Sequence, residues 1–176
     1  MTQEAAVECL TLYEEQITDA RQKKTILELI INSCMRLSCL SEENYDTLVT
    51  NIITFCSKIL KKNEQCAILL SCCFLFTNPQ AEANRIHEVL KRCAKLANNC
   101  ISQSLVHLGL FLDILESYLF FVRQKQVIED KDDAISQLKA AVEDTIGESP
   151  ENDDARQHLE DCRHRWGELR RKVDGE

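Results

Sequence analysis

Cysteine is the residue type in this sequence with the greatest capacity for chemistry, because a thiolate can bind a metal ion, attack an electrophile or form a disulfide. The chain has 10 cysteines among 176 residues. A structural zinc site is usually marked by a C-x-x-C pair, and no two of these cysteines have that spacing. Two groups are close enough in sequence to meet in space: Cys34 with Cys39, and Cys66 with Cys72 and Cys73. The cysteines therefore permit a thiol or metal function without pointing to one.

Two cysteine–histidine combinations are the next candidates for chemistry. His158 and Cys162 are one helical turn apart, but His164 faces another direction, and no further ligand completes a tetrahedral set. Cys100 with His107 would suit a nucleophile and its base, yet no glycine turn that could form an oxyanion hole lies nearby. The favoured interpretation is that the cysteines pack as small hydrophobic residues. We therefore expect no enzyme, no metal and no cofactor, with a cysteine-based metal- or thiol-dependent helical protein as the alternative.

The elements that would position these side chains are helices. The chain has 4 glycines and 2 prolines, and its apolar residues recur at intervals of three and four nearly throughout. The spacing predicts four helices in the first half, at about Ala5–Ile17, Lys23–Leu37, from a cap at Ser41 onward, and Asn63–Phe76. Val7, Leu29 and Leu60 are assigned to the inward faces of these helices.

Four more helices are predicted in the second half. Asn78-Pro79 is typical of a helix start, and the sixth helix is expected to begin near Ser102 or Ser104. A polar stretch at 124–133 and the sequence Gly147-Glu148-Ser149-Pro150 separate the last three helices. Eight helices make about four antiparallel hairpins, spaced roughly as in HEAT-like repeats. The predicted fold is all-α, a HEAT-like α-solenoid forming one domain over residues 1–176, although a globular up-and-down bundle fits the same pattern.

Charge and hydropathy limit the partners and the compartment. The net charge of −8 would repel a phosphate backbone, so nucleic acid is not expected as a partner. The N-terminus has no signal-peptide pattern, and the longest apolar run, Cys66–Phe76, is too short to cross a bilayer. We therefore expect a cytoplasmic protein with free thiols.

Two side-chain clusters suggest surfaces that contact other proteins. Tyr118, Phe120 and Phe121 lie at the end of the sixth predicted helix, and aromatic residues at adjacent positions cannot all face one core. At least one of them is expected to be exposed or to contact a partner. Three lysines form the second cluster, at spacings that place them on one exposed strip facing an acidic partner: Lys58, Lys61 and Lys62.

Several segments carry a resemblance to a known family. They are Tyr13-Glu14-Glu15-x-Ile17-x-Asp19, Ser41-Glu42-Glu43-Asn44, Ser57-Lys58-x-Leu60-Lys61-Lys62, Leu90-Lys91-x-x-x-Lys95, Ile114-Leu115-x-x-Tyr118-x-x-Phe121 and Leu169-Arg170-Arg171. In this order they resemble the α-solenoid scaffold subunit of the retromer coat, the vacuolar protein sorting-associated protein 35 family. The similarity is collinear and spans nearly the whole chain, and it corresponds to the C-terminal region of that scaffold.

The resemblance implies a non-enzymatic scaffold that supports endosome-to-Golgi and plasma-membrane cargo sorting, cytoplasmic and peripheral on endosomal membranes through the coat. It implies two partners: the metallophosphoesterase-fold retromer subunit, and a second copy of the scaffold. By carry-over, Tyr118 and Phe121 are candidates for binding that subunit, and Lys58, Lys61 and Lys62 are candidates for the homodimer. An unrelated cytosolic helical adaptor is the alternative that shares this fold.

Overall fold

The regular secondary structure of the described residues consists of helices, which are joined by short turns. A computed structural model describes residues 3–79, 81, 85–124, 128, 130–150 and 152–173. The α-helices are α1 (Gln3–Gln16), α2 (Ala20–Cys34), α3 (Glu42–Ser57), α4 (Lys62–Cys73), α5 (Arg85–Ile101), α6 (Gly109–Arg123), α7 (Lys131–Ile146) and α8 (Asp153–Val173). Two 3-10 helices follow α4 and α5, at Phe74–Thr77 and Leu105–His107, and the described residues contain no strand. The predicted all-α class of helix hairpins, as in an α-solenoid, is confirmed.

The chain divides into two compact units, residues 1–86 and 87–176. In the first unit α1 pairs with α2 and α3 pairs with α4, while α1 also packs on α3 and α2 on α4. Successive hairpins thus stack first helix on first and second on second, as helical repeats do. The assignment of the whole chain to a single domain stays a prediction.

The second unit is built around α6, which contacts both α7 and α8. The 3-10 helix before α6 packs against α8 as well. Arg165 on α8 reaches back to α6, with its Nη2 2.8 Å from Asp113 Oδ1 and 3.2 Å from Glu116 Oε2. This double ion pair fixes the register of α8 along α6.

Polar side chains from neighbouring elements close several helix ends in this glycine-poor chain. The last carbonyls of a helix have no partner within it, and a terminal glycine is the commonest way to satisfy them. The hydroxyl of fully buried Tyr45, on α3, donates instead to Leu75 O at 3.0 Å and approaches Cys34 O at 3.4 Å. One side chain therefore serves the end of α2 and the 3-10 turn that ends α4.

Three further side chains act in the same way. Gln65 on α4 is buried and donates to Ser57 O, the last carbonyl of α3, at 2.6 Å. Asn78 Nδ2 donates to Leu37 O just beyond α2 at 2.6 Å, and Arg163 Nη2 on α8 donates to Ile146 O at the end of α7 at 2.9 Å. Each bond ties the end of one helix to another part of its own unit.

Helix starts agree with the sequence at one predicted position and differ at two others. Ser41 caps α3, its hydroxyl accepting from Asn44 N at 3.4 Å. The Asn78 side chain binds Leu37 O, and α5 as described runs from Arg85, so the prediction that Asn78-Pro79 starts the fifth helix is not what the structure shows. Ser104 caps the 3-10 turn Leu105–His107 rather than the helix itself, and α6 begins at Gly109.

Three inward assignments are wrong. Val7, Leu29 and Leu60 are 57%, 61% and 84% exposed. The buried face of α2 is formed by Leu27, Ile30, Ile31 and Cys34. Each helical position is rotated by about 100° from the one before, so Leu29 lies off this face. Leu60 is exposed because α3 ends at Ser57, which leaves it in the joint before α4 rather than on a helix face.

The segment Leu105–Arg123 has the length and apolarity of a membrane-crossing helix, with half of it buried inside the protein. The interior helix of a folded domain has the same composition. Phe111, Leu112 and Leu115 on α6 are all under 5% exposed, and α7 and α8 pack on that helix. Burial in the second unit accounts for this apolar sequence.

Replacing Tyr45 with Phe is expected to lower the free energy of unfolding by about 1–2 kcal/mol, because it leaves a buried carbonyl without its donor. Urea denaturation followed by circular dichroism measures the change. Tyr13→Phe is the matched control: this ring packs edge-on against Phe55, and its hydroxyl takes part in no hydrogen bond among the described residues. Equal losses in the two variants would contradict the bridging role of the Tyr45 hydroxyl.

Candidate protein-interaction site

The lysine strip, defined as Lys58, Lys61 and Lys62, lies at the joint between α3 and α4. All three side chains are exposed, with Lys58 at 57% and Lys61 at 73%. The joint places the lysines next to Leu60, which is the most exposed of the large hydrophobic side chains described. The predicted exposed basic strip is therefore present, with an apolar residue at its centre that the sequence assigns to the core.

Lys58 links the strip to α1. Its Nζ lies 2.5 Å from Glu14 Oε1 and 4.9 Å from the centroid of the Phe55 ring. The Phe55 ring packs edge-on against Tyr13 of α1, with ring centroids 5.2 Å apart. Lys58 is therefore held between the Phe55 ring and the Glu14 carboxylate, with its side chain still 57% exposed.

The other two lysines of the strip have acceptors on α4. Lys61 Nζ lies 3.3 Å from Glu64 Oε1, and Lys62 Nζ donates to Gln65 Oε1 at 3.2 Å. Exposed ion pairs of this kind contribute about 0–1 kcal/mol each to stability. The Lys61–Glu64 pair can therefore exchange for a pair with another molecule at little cost, and Lys62, bound to an amide oxygen, has no carboxylate partner among the described residues.

The aromatic cluster at the end of α6 divides between core and surface. Tyr118 and Phe121 are 1% and 0% exposed, whereas Phe120 is 36% exposed. The Phe120 and Phe121 rings pack edge-to-face with centroids 5.2 Å apart. Tyr118 Oη lies 3.4 Å from His87 Nδ1 on α5. The expectation that at least one of the three is exposed is confirmed for Phe120. Direct contact of Tyr118 and Phe121 with a partner stays a prediction, and their burial leaves them little area for it.

The cysteines are mostly buried in apolar surroundings. Cys9 and Cys39 are exposed, and the other eight are buried. Burial raises the pKa of Cys34 to about 11, with a smaller contribution from the charge of Cys9. The pKa of Cys73 is also raised, chiefly by burial. At neutral pH these two thiols are protonated and therefore poor nucleophiles and metal ligands.

One close thiol pair was not anticipated from the sequence. Cys56 Sγ on α3 and Cys72 Sγ on α4 lie 3.3 Å apart in the core of the first unit. The hydrogen bond between Cys72 and Cys56, followed by burial, raises the pKa of Cys72. Sixteen residues separate the two cysteines, and no motif marks them, since only the packing of α3 on α4 brings them together. The sequence spacing suggested that Cys34 could meet Cys39. In the structure Cys34 is buried and Cys39 is exposed.

The histidine and cysteine candidates do not assemble into a site. His158 on α8 approaches the Asp154 carbonyl through Nδ1 at 3.0 Å, whereas Cys162 is buried and His164 is exposed. Cys100 is buried at the end of α5. Among the described residues, no group of three His, Cys, Asp or Glu side chains is placed to hold a metal ion.

Comparison with known proteins gives one consistent result. A family model described as vacuolar protein sorting-associated protein 35 matches residues 1–145. Vacuolar protein sorting-associated protein 35A of Arabidopsis thaliana is 36% identical over 120 residues, covering 62% of this chain and 15% of that protein. The protein 35 of Schizosaccharomyces pombe is 30% identical over 125 residues (66% and 15%), and that of Dictyostelium discoideum is 30% identical over 120 residues (67% and 15%). The chain thus spans about 15% of the length of these relatives.

Thiol labelling under native conditions is expected to separate the cysteines into two classes. The exposed Cys9 and Cys39 react quickly with a chromogenic disulfide reagent at pH 8, whereas the eight buried cysteines react only as the protein unfolds. Mass spectrometry of the labelled peptides assigns the sites, and a Cys9→Ser, Cys39→Ser variant should lack the fast phase. Fast labelling of Cys56 or Cys72 in that variant would contradict the burial of the pair.

Stability is expected to fall as the pH rises above 9. Cys34 has a pKa of about 11 against 9.0 for an unperturbed thiol, and Tyr45 one of about 12 against 10.0, each raised first by burial. The unfolded chain therefore loses these protons at a lower pH than the folded chain does. Their stabilisation is complete below pH 9 and declines as the pH rises toward 11 and 12. Differential scanning calorimetry should show Tm falling over this range, with a smaller fall in a Cys34→Ala, Tyr45→Phe variant. A Tm that stays constant from pH 8 to 11 would contradict the predicted loss of stability.

Proposed function

The chain belongs to the vacuolar protein sorting-associated protein 35 family, and on that premise we propose that it acts as a non-enzymatic scaffold of the retromer coat. The observation that carries this proposal is the family match, which extends over residues 1–145 of the 176. The stacked helix hairpins support it, because such repeats offer long surfaces to partner proteins. In this role the chain supports cargo sorting from endosomes to the Golgi and plasma membrane. It is cytoplasmic and reaches endosomal membranes through the coat.

The proposed first partner is the metallophosphoesterase-fold subunit of retromer, bound at the end of α6. Phe120 offers the exposed aromatic surface there, and Phe121 beneath it holds that ring edge-to-face. Tyr118, whose hydroxyl contacts His87 on α5, holds the preceding turn of α6 in place. The predicted residues Tyr118 and Phe121 thus position the contact, while Phe120 makes it. Exposed aromatic residues on a rigid support are the usual anchors of protein interfaces.

The proposed second partner is another copy of the chain, joined through the lysine strip. A two-fold interface uses the same patch on both copies, so the patch must be complementary to itself. The strip meets this condition, because Glu14 and Glu64 lie beside Lys58 and Lys61. Each ion pair within one copy can exchange for the equivalent pair across the axis, while the two Leu60 side chains bury each other.

Isothermal titration calorimetry with the metallophosphoesterase-fold subunit tests the first partner. We expect near-stoichiometric binding, weakened about 10-fold or more by Phe120→Ala, since truncating an aromatic hot spot typically costs about 2 kcal/mol or more and each 1.4 kcal/mol is tenfold. Tyr118→Phe keeps the ring and serves as the control for helix packing. Unchanged affinity in Phe120→Ala would place the contact elsewhere, and failure of the well-folded wild-type chain to bind would refute this partner.

Sedimentation equilibrium tests the homodimer. Leu60→Asp and the triple change Lys58→Glu, Lys61→Glu, Lys62→Glu are each expected to abolish self-association, by burying a charge and by making the patch uniformly acidic. The matched control is Arg21→Glu, Lys23→Glu, Lys24→Glu at the start of α2, which changes the net charge equally. The assignment to the lysine strip would be refuted if both lysine-strip variants, Leu60→Asp and the triple lysine change, still self-associated. It would also be refuted if only the control variant lost self-association.

A further inference from the structure

A groove runs along the second unit between α5 and α7, with α6 as its floor. Its first section has a volume of about 450 Å³. Lys91 and Lys95 line the α5 side of this section, and Asp130 and Asp133 line the α7 side. The buried rings of Phe111 and Tyr118 on α6 close the bottom. We name this feature the α5–α7 groove.

A second section of about 440 Å³ continues the groove toward the ends of both helices. Asn98, Phe111 and Ala141 line both sections, so the two are contiguous. Residue numbers rise in the same direction on both walls, from Lys91 on α5 to Ser102 just beyond its end, and from Asp133 on α7 to Glu148 just beyond its end. The two walls are therefore parallel helices that stand apart above a common floor.

The two walls carry opposite charges. On the α5 side Lys91 and Lys95 are exposed, one helical turn apart, and neither forms an ion pair with any residue the structure describes. On the α7 side the lining includes Asp133 in the first section and Asp144 and Glu148 in the second, all exposed. The acidic wall extends along the whole groove, and the basic wall faces only its first section.

We propose that the α5–α7 groove is a docking site for an amphipathic helix of a partner protein, with an apolar face, an acidic flank and a basic flank. The apolar face lies between the alanines of the two walls, Ala94 on α5 and Ala134 and Ala141 on α7, above the floor made by α6. The acidic flank faces Lys91 and Lys95, and the basic flank faces the carboxylates of α7. A helix with a single sign of charge on both flanks would meet one wall of like charge, which opposes binding.

The dimensions of the groove fit a helical occupant. The lining on the α5 side extends from Lys91 to Ser102, just beyond the helix end, which corresponds to roughly 17 Å, or about three turns of a bound helix. Ala94 on one wall and Ala134 and Ala141 on the other bring no bulk to the groove and leave room for a helix backbone to approach. Helix-in-groove recognition uses the same combination of an apolar floor and charged rims.

Synthetic peptides provide the test. Three fluorescein-labelled helical peptides of about 14 residues, long enough to fill the groove, share one apolar face of Leu and Ala. One carries Glu along one flank and Lys along the other, the second carries Glu on both flanks, and the third carries Lys on both. Fluorescence anisotropy at low salt with the full chain measures each affinity. We expect the two-signed peptide to bind about 10-fold tighter than either of the others.

A charge reversal on α5 locates the binding. The variant Lys91→Glu, Lys95→Glu makes both walls acidic, so the preference should shift to the peptide with Lys on both flanks. Arg92→Glu, Lys172→Glu is the matched control, since both residues are exposed, line neither section of the groove and change the net charge equally. This control should keep the wild-type preference.

Three results would each overturn the proposal: equal affinity for the three peptides, no saturable binding of the two-signed peptide by about 1 mM, or an unchanged preference in the α5 variant. The experiment uses this chain and peptides alone. Its failure would leave binding to the metallophosphoesterase-fold subunit untouched, and failure of that binding would leave the groove result untouched.

Discussion

The need to satisfy carbonyl groups at helix ends governs how this protein is built. With 4 glycines in the chain, most helices cannot end in the glycine turn that usually serves those carbonyls. Side chains of neighbouring elements serve them instead. Tyr45 joins the ends of α2 and of the 3-10 turn after α4, and Gln65 closes α3. Because each donor comes from another element, closing a helix end also fixes the packing of its neighbour.

This arrangement explains why an apolar residue is displayed at the lysine strip. Gln65 holds the carbonyl of Ser57, so α3 stops there and α4 begins at Lys62. Leu60 therefore lies in the joint, outside both helices, and its side chain is 84% exposed. The lysines on either side keep this apolar tip in a charged setting, where it can lie in solvent or against another molecule. The surface thus depends on the same contacts that hold the hairpin.

The cysteines differ in their surroundings in a way that composition does not reveal. Ten thiols in a chain of 176 residues suggest a metal or redox function when composition alone is considered. Eight of them lie in the core, where desolvation disfavours the thiolate and raises the pKa of Cys34 and Cys73. Their role is that of small apolar residues between closely packed helices. The opposite holds for the α5–α7 groove, where ordinary surface charges become a patterned site because two parallel helices place them on facing walls.

Local chemistry determined the helices themselves: the three-and-four spacing of apolar residues, the Ser41 cap and the scarcity of glycine and proline predict eight helices, and eight α-helices are found among the residues that the structure describes. Local chemistry also predicted the exposure of the lysines and of one aromatic residue near Phe121. The tertiary structure alone decided which face of α2 is buried, which ring at the end of α6 is exposed, and that Cys56 meets Cys72. The reason is physical. Helix formation depends on residues three and four positions apart, whereas burial depends on the rotation and register that a helix adopts against its neighbours, and those follow from contacts distant in sequence.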